Sequence, residues 1–342
     1  MVNLPERALF FYACHRLCYL YLIRQISIIV FLGEIMIQII GAGAIGCLWL
    51  AKLLQTKQTC HIVSRSVFPP SQLSFTHLTG EEQQFTISHS NQLLNSKKEE
   101  QNSTILVCVK APQVLDALLM QQQYISPRQA IILMHNGLGC AEKVIAHFPQ
   151  NPVICATTAN ASLFKKPEET TIDTELTVIE TGNGPTYFGF FNSENSRLVD
   201  LIKPFQKAMN DVYWSHDIVE KCWLKLAINA AINPITAIQQ IKNGQLQDEQ
   251  YINIIDKILA EVTAIAKAEK IALTLSFLQK TVSEVIQATS ENFSSMNRDV
   301  FYKRPTEIDY INGYLINKAK YHQVNAPTLE DLYHKIKALE HH

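Results

Sequence analysis

The chain has 342 residues, 47% of them hydrophobic and 18% charged, so it is long enough for about two globular domains and can bury a large core. Its net charge of −1 at pH 7 argues against nucleic acid or an anionic membrane surface as the main partner. The eight cysteines form no C-x-x-C pair, and no Cys/His group has zinc spacing, so we expect reduced thiols in a cytoplasmic protein and no metal.

Residues 1–35 differ in character from the rest of the chain. They are strongly hydrophobic, but Arg16 and Arg24 interrupt the apolar run before it reaches the ~20 residues of a membrane-spanning helix. A signal peptide is the alternative, although no small-residue cleavage site precedes Met36. Because the first strand of the following domain starts at Met36, we interpret residues 1–35 as a non-native or mis-assigned extension.

The first predicted strand, Ile37–Ile40, leads directly into a glycine-rich loop and an amphipathic helix. In this arrangement Gly41 makes the tight turn, Gly43 lets the backbone approach a pyrophosphate, and Gly46 allows the helix to pack closely on the strand. The N-terminus of the helix offers amides and the positive end of its dipole to the phosphate. The sequence therefore predicts a dinucleotide site formed by Gly41, Ala42, Gly43, Ala44, Ile45 and Gly46.

The second predicted strand, Thr59–Ser64, ends in Ser64-Arg65-Ser66. An NAD enzyme usually has an acid at this point, about 20 residues past the loop, to hold the ribose hydroxyl. This chain has Arg65 instead, and a guanidinium flanked by hydroxyls suits a 2′-phosphate. We therefore expect NADPH/NADP as the cofactor. The alternative is that Arg65 is an ordinary surface arginine.

Two further predicted strands end in polar residues. Thr104–Val109 is followed by Lys110, and Ala130–Met134 is followed by His135-Asn136. Either polar residue alone is more often a loop or capping residue. Open α/β sheets bind ligands at the carboxyl ends of their strands, so the two together indicate a ligand site at this edge.

The rest of the first half is predicted to complete the sheet. Val153–Thr158 is a further strand, and Thr177–Phe190 alternates between polar and apolar residues. Because Gly182-Asn183-Gly184-Pro185 divides the second segment, we expect an antiparallel hairpin that closes the sheet. Strand patterns then end. We therefore expect an α/β domain over 36–215 and an all-α domain over 216–342.

The helical half opens with an almost wholly apolar segment, Trp223–Pro234. On a helix each step of four residues advances only about 40° around the axis, so Lys225, Asn229 and Asn233 form one narrow polar stripe. Such groups are costly to bury unless each has a partner. We interpret the stripe as the wall of a pocket, the alternative being the solvated edge of an ordinary helix. Pro234 is expected to kink or stop the helix.

Four later segments complete the helical half. Ile252–Lys270 and Leu275–Thr289 have the apolar spacing of amphipathic core helices. Glu291–Met296 groups hydrogen-bonding residues around Phe293, and such a segment is more often a turn or cap than a site. The segment 304–313 is predicted to begin a last helix at its Pro-Thr pair.

Taken in order, these motifs resemble the ketopantoate reductase (2-dehydropantoate 2-reductase) family, NADPH enzymes of pantothenate synthesis. The resemblance extends from Met36 to about Leu332. It implies an N-terminal Rossmann-type dinucleotide-binding domain, an all-α C-terminal domain and an active site in the cleft between them. The motifs are Gly41–Gly46, Lys110-Ala111, His135–Gly139, Lys225 with Asn229 and Asn233-Pro234, Asn243-Gly244, Asn292 with Ser294–Met296, and Glu307–Gly313.

The resemblance also implies catalytic and substrate-binding residues. Lys225 matches the proton donor, and Glu307 matches a residue that contacts NADP and lies near the reacting carbonyl. Asn136 matches a contact to both cofactor and substrate. The positions that match substrate contacts are Asn136, Lys225, Asn229, Asn233, Asn243, Asn292, Phe293, Ser294 and Ser295.

Cofactor contacts outside the glycine loop follow in the same way. Arg65 matches the arginine of the 2′-phosphate, and Lys110 and Ala161 match further NADP contacts. The sequence at 159–162 reads Ala-Asn-Ala-Ser, which departs from the family pattern around Ala161.

The implied reaction is hydride transfer to the ketone of 2-dehydropantoate. Lys225 can stabilise the developing alkoxide and donate the proton, and Glu307 can keep the ammonium charged. The expected partner is this small-molecule substrate, with the protein a monomer or homodimer. One alternative is a related reductase of another 2-keto or 3-hydroxy acid. A non-catalytic NADP-sensing protein is another, but it would have no reason to keep the polar stripe together with Ser295 and Glu307.

Overall fold

The computed structural model describes residues 35–65, 70–94, 103–165, 175–191 and 196–340. Apart from Ile35, the predicted N-terminal extension lies outside the described residues. None of the helices in the described part of the chain has the length and apolarity needed to cross a bilayer.

A large, mostly parallel sheet forms the centre of the first half of the chain. Its strand order is β12-β11-β8-β7-β6-β1-β2-β5, and every neighbouring pair is parallel except β8 with β11. The predicted α/β architecture is therefore confirmed. In chain order, the strands of the described residues are β1 (Met36–Ile40), β2 (Cys60–Val63), β3 (Gln72–Thr76), β4 (Glu82–Thr86), β5 (His89–Ser90), β6 (Ser103–Val107), β7 (Ala130–Leu133), β8 (Val153–Thr158), β9 (Ala161–Lys165), β10 (Glu175–Gly182), β11 (Thr186–Phe190) and β12 (Val212–Trp214).

The helices of the second half surround one long central helix. The helices in the described residues are α1 (Ala44–Gln55), α2 (Val114–Met120), α3 (Cys140–His147), α4 (Lys203–Ala208), α5 (Ile218–Gln239), α6 (Glu249–Ala268), α7 (Leu275–Ala288), α8 (Ser295–Phe301), α9 (Asn312–Tyr321) and α10 (Pro327–Glu340). After Trp214 every regular element among the described residues is helical. Helix α5 packs against α6, α7, α8 and α10 around a core of its own, and this confirms the all-α second half.

The central strands are apolar on both faces because both faces are covered. In β7, for example, Ile132 belongs to the core on one side of the sheet, whereas Ile131 and Leu133 belong to the core on the other side. This double burial explains the continuous apolar runs of these strands. The parallel arrangement also brings the carboxyl ends of β1, β2, β6, β7 and β8 to one edge, where all the predicted polar strand ends lie.

The predicted hairpin over Thr177–Phe190 is wrong. Strand β10 belongs to a separate four-stranded sheet of order β4-β3-β10-β9, whereas β11 pairs antiparallel with β8 in the large sheet. Alternation of polar and apolar residues shows that each segment is a half-buried strand, but it does not identify the pairing partner. Residues 183–185 between the two strands connect one sheet to the other.

Two predictions about helix ends are also corrected. The expected stop at Pro234 is wrong, because helix α5 continues through it to Gln239. Its last turns are buried in the core of the helical half, and this packing outweighs the missing hydrogen bond. The segment 304–313 forms only a short 3₁₀ turn at Ile308–Tyr310 before α9 begins at Asn312. Thr306 there donates from its backbone and its hydroxyl to Glu340 at 2.8 and 2.7 Å, so tertiary contacts hold this segment out of a helix.

Candidate active site

The glycine-rich loop has the backbone geometry of a phosphate-binding turn. Gly41 has φ +114°, a conformation that favours glycine, and a Cβ added to Gly46 would lie 2.0 Å from the Gly41 carbonyl oxygen. A Cβ added to Gly43 would meet no atom within 4 Å. Gly43 is the N-cap of α1, and no side chain caps the helix. The first amides of α1 therefore face open space at the carboxyl edge of the sheet.

Arg65 lies exposed beside this loop. The Gly41 N–H donates to the Val63 carbonyl at 2.9 Å, which joins the loop to the end of β2. Ser64 is held in place by its backbone N–H on Ser90 O (3.1 Å) and by a 2.8 Å hydrogen bond between its hydroxyl and His89 Nε2. The side chain of Arg65 is exposed, and Ser66, the second predicted hydroxyl, lies outside the described residues.

Glu307 joins three segments that are far apart in sequence. Its carboxylate accepts the backbone N–H of Ala111 at 3.0 Å on one oxygen and Asn136 Nδ2 at 3.0 Å on the other. Only 6% of Glu307 is exposed. The ends of β6 and β7 are therefore fastened to the loop that precedes α9, and the contact lies between the sheet and the helical half.

The loop after β7 packs tightly on the same segment. The Leu138 N–H donates to the Tyr310 carbonyl at 2.9 Å. Gly137 has φ +80°, and a Cβ added there would lie 2.5 Å from the Tyr310 carbonyl oxygen. Glycine is thus required at this position both by backbone conformation and by close packing.

Lys225 lies in the same cleft on α5. The residue is half-buried, and its ammonium donates to the Thr158 carbonyl, at the end of β8, with an Nζ–O distance of 2.8 Å. Burial lowers the pKa of Lys225 below its ordinary value, and the negative charge of Glu307 opposes that change. Burial also lowers the pKa of the neighbouring His135, which disfavours its charged form. Sequence reasoning missed Thr158, because its functional atom belongs to the backbone.

Lys110 also bridges the two halves. Its ammonium lies 2.6 Å from a carboxylate oxygen of Asp299 on α8 and donates to Pro305 O at 3.2 Å. Asp299 is buried, which raises its pKa, and Lys110 and Arg304 oppose that shift. Sequence reasoning did not single out Asp299. The one local signal that could have identified Asp299 was its position one helical turn after Ser295.

The two asparagines of the stripe line the cleft beyond Lys225. Asn229 is half-buried and Asn233 is 6% exposed. Neither side-chain amide has a hydrogen-bond partner among the described residues. A lysine followed by two free amides along one side of α5 thus forms a row of donors.

The other predicted substrate residues form a second cluster near the end of α5. The Asn243 N–H donates to Asn292 O at 2.9 Å, and its Nδ2 donates to Thr289. The Ser294 hydroxyl caps α8 and shares a 2.7 Å hydrogen bond with Thr236 Oγ1. Asn243 and Ser294 therefore have protein partners, although Asn243 Oδ1 is buried without one in the described residues. The residues of this cluster that are exposed are Asn292, Phe293 and Ser295.

Ala161 belongs to the small sheet. It is the first residue of β9 in the small sheet, is half-buried and pairs with Gly182. The small sheet packs on α1 through β9 and β10. Ala161 therefore lies just after the turn that follows β8, at the start of a strand that packs on α1.

Comparison with known proteins gives one consistent result. Residues 37–193 match the family model described as Ketopantoate reductase PanE/ApbA, and residues 217–340 match its C-terminal counterpart. A 2-dehydropantoate 2-reductase from Vibrio cholerae is 36% identical over 304 residues, which cover 89% of this chain and 97% of that protein.

Solved structures show the same likeness. A probable 2-dehydropantoate 2-reductase from Bacillus subtilis is 26% identical with a TM-score of 0.72, over 89% of this chain and 100% of that one. D-mandelate dehydrogenase with NADH and anilino(oxo)acetate shares the fold, with a TM-score of 0.75 at 21% identity over 90% of this chain and 98% of that one.

Proposed function

The chain belongs to the ketopantoate reductase family, and from that premise we propose that it reduces 2-dehydropantoate (ketopantoate) to (R)-pantoate with NADPH, a step of pantothenate and coenzyme A biosynthesis. The observation that carries the proposal is that Lys225 and Glu307 bond the ends of two neighbouring strands: Lys225 donates to the Thr158 carbonyl after β8, and Glu307 accepts from Asn136 after β7. Within this proposal the Rossmann domain spans 36–215 and the substrate domain spans 216–342.

The residues at the sheet edge fit a dinucleotide. The open space before Gly43 and the uncapped amides of α1 suit a pyrophosphate. Arg65 suits a 2′-phosphate, and Lys110, Asn136, Ala161 and Glu307 complete the proposed contacts. When bound, the reduced nicotinamide supplies the hydride that reaches the ketone carbon.

Lys225 supplies the proton. An ammonium has three N–H donors, and the Thr158 carbonyl occupies one of them, so two remain for a bound substrate. Burial lowers the pKa of Lys225 and makes it a stronger acid, while the Glu307 carboxylate favours the charged form. As the ketone becomes an alkoxide, Lys225 stabilises the charge and then donates the proton.

The substrate carboxylate needs donors that carry no negative charge. Asn229 and Asn233 lie one and two turns beyond Lys225, and Ser295 is exposed near the far end of the stripe. A 2-keto acid can therefore place its ketone at Lys225 and its carboxylate or hydroxyl on these neutral donors. Asn136 lies at the other end of the cleft, where cofactor and substrate meet.

A substrate panel tests the proposal. Purified protein is given NADPH or NADH with ketopantoate, with aliphatic 2-keto acids and with the aryl 2-keto acid that corresponds to mandelate, and coenzyme oxidation is followed by absorbance. We expect the highest kcat/KM for ketopantoate with NADPH and (R)-pantoate as the product on chiral analysis. Preference for another acid contradicts the assignment.

The alternative is a reductase of a different 2-keto or 3-hydroxy acid built on the same two-domain plan. The fold shared with D-mandelate dehydrogenase favours it, since that protein was solved with NADH and a 2-oxo acid derivative. The same panel decides between them, because this alternative predicts faster oxidation with the aryl substrate.

A further inference from the structure

The turn after β8 contains a buried polar cluster that the proposed reaction does not use. Asn160 is 6% exposed, and its Nδ2 donates to the hydroxyls of Thr158 (2.9 Å) and Thr186 (3.0 Å). Its Oδ1 accepts the backbone N–H of Gly184 at 3.1 Å. Met209 Sδ lies 3.5 Å from the same Nδ2. The carboxamide thus uses both its donor and its acceptor groups to join residues 158–160 to residues 184–186.

The peptide unit between Thr158 and Ala159 is hydrogen-bonded at both ends. Its N–H, on Ala159, donates to Pro185 O at 2.9 Å, and its carbonyl, on Thr158, accepts the Lys225 ammonium at 2.8 Å. A trans peptide is planar, and its N–H and C=O point in opposite directions. Fixing the N–H on Pro185 therefore fixes the direction in which the Thr158 carbonyl points.

Asn160 holds Pro185 in place from both sides. It bonds Gly184 before the proline and Thr186 after it, and the Thr158 and Thr186 hydroxyls lie 2.7 Å apart. We propose that Asn160 is a positioning residue for the Lys225 ammonium, acting through the Thr158 carbonyl. The catalytic consequence rests on the proposed function, whereas the orientation of the ammonium does not.

The direction of the expected change in the pKa of Lys225 follows from the titratable groups that face it. Glu307 faces it from the loop before α9, His135 from the loop after β7, and Cys222 from α5 itself. The Thr158 carbonyl accepts a hydrogen bond and so favours the charged ammonium. If the carbonyl turns away, the buried Lys225 ammonium loses a hydrogen bond that offsets the cost of its burial. We therefore expect the pKa of Lys225 to fall by about one pH unit when Asn160 is replaced.

The test compares two buried asparagines of the same half. Asn160→Ala removes the clamp, and Asn151→Ala is the matched control, since Asn151 is also 6% exposed and donates to Ser126 O and Gln129 O at 2.9 and 2.8 Å, at the opposite end of β8. The pKa of Lys225 is measured by NMR of ¹³Cε-labelled lysine, with the signal assigned by its loss in Lys225→Arg. The pH profile of kcat with ketopantoate and thermal unfolding are measured on the same preparations.

We expect Asn160→Ala, but not Asn151→Ala, to lower the pKa of Lys225 and to move the alkaline limb of kcat to lower pH by about one unit. Equal melting temperatures with an unchanged pKa in both variants overturn the proposal. If Asn160→Ala does not fold, Thr186→Val and Thr186→Ser replace it, because the Thr186 hydroxyl accepts from Asn160 Nδ2. The serine keeps the hydroxyl and should behave as the unchanged protein, whereas the valine should show the shift, and valine without a shift overturns the inference.

The NMR measurement needs no substrate, so it separates this inference from the proposed function. Failure of the unchanged protein to oxidise NADPH with ketopantoate contradicts the function and leaves the Lys225 result standing. A normal reaction together with an unmoved Lys225 signal in both the Asn160 and Thr186 variants contradicts only the positioning role.

Discussion

The glycine-rich loop and the Lys225–Glu307 cleft are built in opposite ways. The loop is made by six consecutive residues, and its shape depends on what the backbone of Gly41, Gly43 and Gly46 can adopt. The cleft is made by single side chains from distant segments, since Glu307 bonds groups 196 and 171 residues away. A local motif tolerates little change in its own residues, whereas an assembled site depends on the packing of two halves of the molecule.

The largest effect is expected at Lys225, the centre of the assembled cleft. Lys225→Ala should lower kcat roughly 10²–10⁴-fold, the usual contribution of a positioned general acid. NADPH affinity should hardly change, because the loop and Arg65 are the proposed cofactor contacts. Steady-state kinetics and a melting curve on one preparation provide the measurement. Normal turnover in a well-folded variant overturns the mechanism. If Lys225 were only structural, its loss would reduce stability and leave turnover per folded molecule near normal.

Glu307→Gln is expected to have the next largest effect. The amide keeps the size of the side chain but loses the charge that favours the Lys225 ammonium. We expect kcat to fall roughly tenfold to a hundredfold and its alkaline limb to move to lower pH. The sign follows because loss of a nearby negative charge lowers the pKa of an ammonium.

The control for this change is Glu261→Gln. Glu261 accepts the backbone N–H groups of Thr328 and Leu329 at 2.8 and 2.9 Å at the start of α10. Like Glu307 it is a carboxylate with two N–H donors, but it lies outside the cleft. The Glu261→Gln variant should be less stable and should keep the pH profile of kcat. The same profile shift in both variants contradicts a specific role for Glu307.

A substitution at Arg65 tests the local site through the coenzyme preference of the protein. Arg65→Ala should weaken NADPH by about 1.5–3 kcal/mol, or about tenfold to 150-fold, and leave NADH nearly unaffected, because only NADPH has the 2′-phosphate. Binding of both coenzymes is measured by fluorescence titration. Equal weakening of NADPH and NADH shows that Arg65 lies elsewhere.

Gly43→Ala has the smallest expected effect and separates backbone shape from cofactor contact. A Cβ at Gly43 meets nothing in the protein, so the melting temperature should not change, whereas NADPH affinity should fall by about tenfold because the pyrophosphate can no longer approach the backbone. Gly46→Ala provides the contrast, since its Cβ would lie 2.0 Å from Gly41 O and should lower stability as well. Unchanged NADPH affinity in Gly43→Ala excludes a phosphate at this loop.

Local pattern in the sequence predicted the loop, most strands of the large sheet and the polar stripe. Val153–Thr158 agrees with β8 at both ends, and Lys225, Asn229 and Asn233 lie along α5 as their spacing required. These features were predictable because steric limits on glycine and the periodicity of burial act over a few residues.

Pairing partners were decided only in three dimensions. The assignment of β10 and β11 to different sheets and the continuation of α5 through Pro234 both depend on packing against distant segments. The ion pair of Lys110 with Asp299 brings together residues on a sheet edge and a short helix that no spacing relates.

The same holds for the atoms nearest the proposed chemistry. The sequence by itself identified Lys225, because a charged residue in an apolar segment is visible in one dimension, whereas Glu307 was identified by the family resemblance of its motif. The Thr158 carbonyl that accepts the Lys225 ammonium is a backbone group that every residue possesses, and only the turn closed by Asn160 directs it into the cleft. Side-chain chemistry is encoded residue by residue, whereas the direction of a carbonyl is set by the tertiary contacts that fix its peptide plane.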